Sequence, residues 1–297
     1  MPVDAPLIRR RAVFGAKAEA TTGTAESLTT AEAAFNAWNV SIKPDIALTR
    51  REGQGSSLDT LPGVPGARGA RINVETEIYG AATVPAWGLL LQASGFGLSS
   101  RTYTITSSAI NDTTLTVGNW IAGRFYSAVG VVLNWAFSMR SGQVVRSTWT
   151  GTGAWVPPTS TALIAPTYPT TLPPRAASAT FTIGGQSYKI SSLDFDLGNQ
   201  IVYREDVTKL SGYFSAAITD RAPTVRIDPE ALLLSTKDWH ADHLASTEAA
   251  LSLVINGGAN NTFTLSMPKL QLIEAPDDGE RGGIFTDMLT FAPTRSA

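Results

Sequence analysis

One stretch of the chain specifies a local fold by itself: Ala179-Thr180-Phe181-Thr182-Ile183-Gly184-Gly185-Gln186-Ser187-Tyr188-Lys189-Ile190. Two runs of alternating apolar and polar residues flank a Gly-Gly pair. Two glycines can adopt the positive φ angles of a primed hairpin turn. The sequence therefore predicts a β-hairpin centred on Gly184-Gly185. In this register Phe181 is expected opposite Tyr188, an aromatic cross-strand pair worth a few tenths to about 1 kcal/mol.

The same period of two recurs along the chain and predicts a mainly β protein. From Arg71 to Tyr79, apolar residues at 72, 74 and 78 alternate with polar ones, so one face of this strand is expected to be buried. Helical candidates are few, namely residues 84–94, 236–250 and 29–38. The expected architecture is a β-sandwich or half-barrel with one or two flanking α-helices.

The composition of the 297 residues excludes several classes of protein. The absence of cysteine excludes disulfide scaffolds, thiolate zinc sites and cysteine nucleophiles. A net charge of −2 argues against tight, sequence-independent DNA binding. The basic run at residues 9–11 is not followed by an apolar segment, and no apolar window is long enough for a membrane span. We therefore expect a chain of cytosolic origin with no membrane partner.

Candidate catalytic and metal-binding residues are sparse. His240 and His243 would share a helix face, but no third and fourth ligand occurs at a telling spacing, so a solvated face is expected rather than a metal site. Asp194 and Asp196 share one strand face and are expected to be polar surface residues, since nothing indicates a cleft between paired carboxylates. No Ser–His–Asp set or phosphate loop occurs. The sequence thus predicts no catalytic residue, no cofactor and no enzymatic activity.

The tryptophans allow a second interpretation. Trp120, Trp135, Trp149 and Trp155 fall within one short window. Tryptophan on a β surface can stack on sugars, whereas tryptophan at strand positions commonly packs in a core. The alternative function is therefore a carbohydrate-binding β-sandwich, such as a tail adhesin or a lectin-like module, that uses exposed tryptophan.

Two stretches are predicted to lie outside the regular strands. Residues 50–69 are rich in Gly, Pro and Arg, and about twenty such residues indicate a long functional loop. Residues 156–175 contain six prolines and predict a stiff extended strap.

Several short segments occur in a telling order along the chain. Residues 13–24 (VFGAKAEATTGT) contain the pattern K-x-E-x-x-x-G-T, and residues 85–95 (PAWGLLLQASG) contain L-L-x-A-x-G. The strand at 69–75, the turn at 181–185 and the segments 195–199 (FDLGN) and 212–223 complete the series. In this order the segments resemble the tail tube (major tail) proteins of long-tailed bacteriophages, and the resemblance spans most of the chain.

This resemblance implies a structural role. In the family, six subunits form a ring whose sheets join into one continuous β-barrel around a lumen. Stacked rings form the tube that conducts the genome during ejection, and DNA passes without specific binding. The implied partners are the chain itself and the tape measure, tail terminator and distal tail proteins. The implied location is the tail of the virion, after assembly in the host cytoplasm.

The resemblance also implies a division of the chain, which is expected to be a single tail tube domain over residues 1–297. Residues 1–20 match an N-terminal arm and residues 50–69 a loop that bridges successive rings, whereas residues 96–175 are a candidate insertion carrying the strap 156–175. The predicted inter-ring contacts are Arg9, Arg10, Arg11, Arg50, Arg51 and Arg68. Glu75 and Glu77 are predicted to face a mildly acidic lumen that repels phosphates.

Overall fold

The computed structural model describes residues 7–53, 60–108 and 110–294. In these ranges it contains eighteen strands and two short helices, α1 (Gly88–Gln92) and α2 (Trp239–Leu244). The strands are β1 (Ala12–Ala18), β2 (Ala37–Arg51), β3 (Leu61–Glu77), β4 (Phe96–Ser99), β5 (Thr102–Ile105), β6 (Leu115–Ile121), β7 (Arg124–Arg140), β8 (Arg146–Ser160), β9 (Thr180–Ile183), β10 (Gln186–Ser187), β11 (Ser192–Asp196), β12 (Asn199–Glu205), β13 (Tyr213–Arg221), β14 (Thr224–Ile227), β15 (Glu248–Asn256), β16 (Thr262–Leu272), β17 (Asp277–Arg281) and β18 (Ile284–Pro293). The prediction of a mainly β protein is confirmed.

Most strands belong to one antiparallel sheet of fourteen strands. Its main path runs β10-β9-β15-β16-β18-β14-β11-β7-β8-β3-β2, and β1, β6 and β17 join beside it. β7 is the strand at which the sheet divides. Its first half pairs with β6, whereas residues 136–140 pair with β11, and β8 follows nearly the whole of its other edge. The sheet therefore has two arms, one that continues through β6 and one that continues through β11. The arms separate at residues 132–135 of β7 and enclose one core, an arrangement consistent with a β-sandwich.

The gap between the two arms is bridged by backbone hydrogen bonds. The N–H of Leu133 donates to the carbonyl of Ala93, just after α1, at 3.0 Å. The N–H of Leu197, just after β11, donates to the carbonyl of Trp135 at 2.9 Å. The end of α1 and the β11–β12 turn thus satisfy β7 where no neighbouring strand does.

Asn199 joins these pieces through its side chain. Its Nδ2 donates to the carbonyls of Leu133 at 2.9 Å and Ser94 at 3.0 Å, and its Oδ1 accepts from Nε of Arg221 at 2.8 Å. Its backbone N–H donates to Oδ1 of Asn134 at 2.8 Å. Three of the segments that carry the family resemblance therefore meet at this one point.

The centre of the core is aromatic. The rings of Trp135 and Trp149 stack with centroids 6.1 Å apart, and Phe96 and Phe195 pack on Trp135. Trp149 is fully buried, and its Nε1 donates to Oγ1 of Thr76 at 2.9 Å. Nε1 of Trp135 likewise donates to Oγ of Ser147 at 2.8 Å. Because the four rings fill space between the two arms and both indole N–H groups have internal partners, they act as core residues.

The predicted hairpin is confirmed. Ile183 pairs with Gln186 across Gly184 and Gly185, whose φ angles are 57° and 78°. The ladder ends at Ser187, so the predicted aromatic pair with Phe181 is not part of it, and the ring of Tyr188 packs on Trp239 with centroids 5.3 Å apart.

The strand predicted at 71–79 is also confirmed over most of its length. Ile72, Val74 and Thr76 are buried along the second half of β3, Arg71 is exposed, and the other polar residues are only partly buried.

Two of the three predicted helices are present but short. α1 lies within 84–94 and is followed by Gly95 at a φ of 86°, and α2 lies within 236–250, capped by the Asp238 side chain on Ala241 N at 2.9 Å. The helix predicted at 29–38 is wrong. The carbonyl of Glu32 accepts from Ala16 of β1 at 3.1 Å instead of closing a helical turn.

Residues 50–69 are not a loop throughout. Arg50 and Arg51 end β2, and residues 61–69 form the first half of β3, paired with β2. Residues 54–59 of this predicted loop lie outside the described residues. Proline and glycine are tolerated here because this part of the hairpin does not pair with β8, which joins β3 only from Gly69 onward.

The boundaries drawn at 1–20 and 96–175 also differ from the structure. Residues 12–18 are not a free arm but form β1, paired with β6, with Val13 and Phe14 buried. Residues 96–175, the candidate insertion, contain β6, β7 and β8, and β7 and β8 are inner strands of the main path of the sheet. Within the proline-rich strap, only residues 161–174 lack regular structure. This segment contacts another part of the same subunit, since Asn261 Nδ2 donates to Leu172 O at 2.8 Å.

We predict that Asn199→Asp lowers the free energy of unfolding by about 2–4 kcal/mol, because a carboxylate would face two buried carbonyls that now accept hydrogen bonds. Urea unfolding followed by circular dichroism measures this loss. Asn256→Asp is the matched control, since the exposed Asn256 Oδ1 only accepts, from Gly258 N and Thr262 Oγ1. Equal, small effects of both substitutions would contradict the role of Asn199.

Candidate assembly surfaces

The face of the sheet opposite the core is a continuous polar surface across six strands. Directly paired residues of neighbouring strands share a face of the sheet. The strand register therefore groups the residues of this polar face into rows that run across the strands. One row is Glu77, Arg146, Ser138, Asp194, Arg226 and Thr290. The next row is Glu75, Thr148, Ala136, Asp196 and Thr224.

Charges on this polar face are paired rather than of one sign. Nη1 and Nη2 of Arg140 bind the two carboxylate oxygens of Asp194, each at 2.8 Å, and Ser138 Oγ donates to Asp194 Oδ1 at 2.7 Å. Asp196 accepts from Asn134 Nδ2 at 2.8 Å. The prediction that Asp194 and Asp196 lie on a polar outer face is confirmed.

The structure places Glu75 and Glu77 on this same polar face. Oε1 of Glu75 accepts from Asn39 Nδ2 at 2.8 Å. Burial raises the pKa of Glu77, and the charge of Arg146 opposes that shift. The face around them also carries four arginines, Arg71, Arg140, Arg146 and Arg226, so it balances charge instead of being acidic.

The β12–β13 hairpin covers part of the polar face. Ala216 and Ile218 pack on Val132 of β7. The Tyr203 hydroxyl donates to Asp45 Oδ2 at 3.3 Å, and burial, with the nearby Asp45 carboxylate, raises its pKa to about 12. On β3 the hairpin lies over Gly69 and Ala70, where the ring and hydroxyl of Tyr203 are placed. Glu75 and Glu77 lie further along β3, outside this contact.

Five of the six arginines predicted as inter-ring contacts lie at one end of the sheet, which we call the Arg-rich end. There β1 and β7 begin and the β2–β3 hairpin extends, since Ala12 pairs with Ile121 and Ile121 pairs with Arg124. Arg9, Arg10 and Arg11 precede Ala12, Arg50 and Arg51 end β2, and all five are exposed. Arg68 lies further along β3, where its N–H donates to Ser211 O at 2.7 Å.

The opposite end of the sheet carries a hairpin that sequence reasoning missed, β17–β18, which we call the acidic hairpin. β18 is antiparallel to β14, β14 to β11 and β11 to β7, so β18 begins at the end away from the start of β7. Its turn is Gly282-Gly283, with φ angles of 59° and 84°. This Gly-Gly pair, the third in the sequence after 184–185 and 257–258, was the signal that could have identified it.

One arginine fastens the acidic hairpin to the body. Nη1 of Arg281 binds Asp228 Oδ2 at 3.1 Å, and Nη2 binds Glu230 Oε1 at 3.0 Å. Asp228 also accepts from the N–H groups of Ser191 at 2.9 Å and Ser192 at 2.7 Å. Burial of Asp228 acts to raise its pKa, but the hydrogen bonds from Ser191 and Ser192 outweigh it and hold the pKa below its usual value. The hairpin is therefore held in a defined orientation.

The tryptophan positions disagree with the sugar-binding alternative. Trp120, Trp135 and Trp149 are buried, and Trp155 is half-buried against the core. A stacking platform requires exposed rings, so these four tryptophans do not support the sugar-binding alternative and instead pack inside the protein.

The histidines lie on α2. His240 is exposed, and Nδ1 of His243 lies 3.1 Å from the Leu272 carbonyl oxygen. Within residues 7–53, 60–108 and 110–294, no group of three or more potential ligands could hold a metal ion. Neither described helix has the length and apolar character to cross a membrane.

The fold and these surfaces define a mainly β protein without a recognisable catalytic constellation in its described part. The family model described as phage tail tube protein matches residues 9–292. The chain therefore belongs to the phage tail tube protein family, as its sequence motifs predicted, and is a structural component of a phage tail. No curated protein matches the chain.

We predict that Asp228→Asn lowers the free energy of unfolding by about 1–3 kcal/mol at pH 7, since it removes the carboxylate that Arg281 binds. The folded-state pKa of Asp228 lies below its ordinary value of 3.8. Its stabilisation is therefore complete above that pH and is lost as the pH falls through the lowered pKa. Urea unfolding at pH 7, 4 and 3 should show the wild-type advantage shrinking below about pH 4. Asp112→Asn, at an exposed position, is the control. A difference in free energy of unfolding between the wild type and Asp228→Asn that stays the same at all three pH values would contradict the stabilising role of the Asp228 carboxylate.

Proposed function

We propose that this chain is a non-enzymatic tail tube subunit, a single domain that forms hexameric rings, and that stacked rings conduct the phage genome during ejection. Membership of the tail tube family supports this role. The observation that carries ring formation is the edge of β2. Among the described residues this fifteen-residue strand pairs with β3 alone.

A long unpaired edge is a template for pairing with another chain, and isolated proteins usually protect such edges. The opposite edge of the main path, β10, is only two residues long and protects itself by being short. A second copy that pairs with β2 would continue the sheet from one subunit to the next. Closure of the ring would then leave no free edge.

We further propose that the polar face lines the lumen. Its acidic residues alternate with arginine, so a passing phosphate meets no continuous basic row to which it would bind tightly. The tape measure, tail terminator and distal tail proteins are the proposed partners of the assembled tube, which would form in the host cytoplasm. The sugar-binding alternative has no support, because five of the seven tryptophans are buried and the other two, Trp38 and Trp155, are partly buried.

Assembly is the first test. Purified protein should form hollow tubes or six-fold rings of uniform width in negative-stain electron microscopy, with light scattering that rises with concentration. A chain that stays monomeric at every concentration and binds a glycan on titration would contradict the proposal.

The lumen assignment has its own test. Glu75→Lys adds a cation to a row near Arg71 and Arg146 and should slow genome ejection several-fold while tubes still form, because phosphates would be retained. Ejection is measured as DNA release from virions carrying the variant. Asp112→Lys, outside the polar face, is the charge-matched control. Equal ejection rates for both variants would overturn the assignment of this face to the lumen.

A further inference from the structure

The two ends of the sheet carry opposite charge. At the Arg-rich end, residues 7–12, 46–53 and 60–67 together with Arg124 contain six arginines and one carboxylate. At the other end, residues 274–288 of the acidic hairpin contain five carboxylates and one arginine. The single arginine, Arg281, is already paired inside the subunit with Asp228 and Glu230. The acidic hairpin therefore presents an unbalanced negative surface.

Each end also exposes several large apolar side chains. At the Arg-rich end these are Leu7, Ile8, Leu48, Leu61 and Val64, and Leu48 is 62% exposed. At the acidic hairpin they are Ile284, Phe285 and Met288. Clustered exposed apolar residues mark interaction surfaces when charged residues surround them.

The apolar surface at the acidic hairpin continues onto a neighbouring segment. Ala231 N donates to Phe285 O at 3.0 Å, and Asp287 N donates to Pro229 O at 2.9 Å, so residues 229–231 run beside β18. Leu232, Leu233 and Leu234 follow directly, and Leu233 is 78% exposed. Three consecutive exposed leucines extend the patch beside Phe285.

The two ends cannot meet within one subunit. Four strands, β14, β11, β7 and β8, separate β18 from β3 in the sheet. At about 4.8 Å per strand this is about 24 Å across the sheet. In addition, the two hairpins extend in opposite directions along the strands. Complementary charge and apolar surface can therefore be matched only between copies.

We infer that the acidic hairpin and Leu232–Leu234 of one subunit form the seat for the Arg-rich end of a subunit in the next ring. The occupant is a second copy of this chain, and the contact joins two different surfaces, as a repeating head-to-tail assembly requires. Arg50 and Arg51 would lie against Asp277 and Asp278, with Leu48 and Val64 against the exposed leucines. This inference rests on the proposed tube and specifies the contact between its rings.

Charge reversal with mixing tests this contact. Arg50→Glu/Arg51→Glu and Asp277→Lys/Asp278→Lys change exposed residues at one end each, and either double variant alone should lose tubes, since like charges would face each other. An equimolar mixture should regain tubes of alternating composition, because each altered end meets its reversed partner and each unaltered end meets an unaltered one. Recovery on mixing also shows that both variants are folded. Asp112→Lys/Asp220→Lys, at exposed positions outside both ends, is the matched control and should form tubes alone.

The outcomes separate this inference from the proposed function. Electron microscopy and sedimentation at low and high salt give the readout, because screening weakens such contacts. If both charge-reversal variants form tubes like those of the wild type, the inference is overturned and the proposed tube function still stands. Loss of tubes in both variants without recovery on mixing would also overturn it, since the two ends would not be partners. A wild-type protein that forms neither rings nor tubes would overturn the proposed function itself.

Discussion

The fold depends on how β7 shares its hydrogen bonds. One edge of this seventeen-residue strand is covered by β8, but the other edge serves β6 first and β11 later. Between them, a few backbone groups would be left without a partner inside the core. Asn199 and the residue that follows α1 resolve this, because an amide side chain can donate to two carbonyls and accept from a guanidinium at once. The separation of the two arms, and hence the aromatic core between them, depends on that junction.

The sequence predicted local structure better than the arrangement of the strands. Alternation identified the buried face of β3, and a Gly-Gly pair identified the turn after Ile183, because both signals come from neighbouring residues. The short window rich in tryptophan was harder to interpret. Trp135 and Trp149 look alike in sequence whether they are exposed or buried, and only the pairing of β7 with β8 places them inside. Proline and glycine at 61–69 suggested a loop because an outer hairpin tolerates residues that an inner strand excludes.

For the assembly surfaces too, the sequence indicated local features but not their positions in the sheet. Arginines at 9–11 and at 50–51 are about forty residues apart in the chain, and nothing in their local sequence brings them to one end of the sheet. The antiparallel register does so, since the start of β1, the end of β2 and the start of β7 lie at the same end of the sheet. The acidic hairpin has a local signal in Gly282-Gly283, but its position opposite the arginines again follows from strand order.

Charge is used differently on the face of the sheet and at its ends. On the polar face each carboxylate has a cation or an amide within the same subunit, as in the Arg140–Asp194 pair, so little net field remains. At the ends the charges are segregated by sign. A subunit with one basic and one acidic end disfavours closed pairs in which like ends meet, because the same charges would face each other across the two-fold axis. Only the head-to-tail orientation brings opposite charges together, and that orientation leaves a free end of each kind for the next subunit.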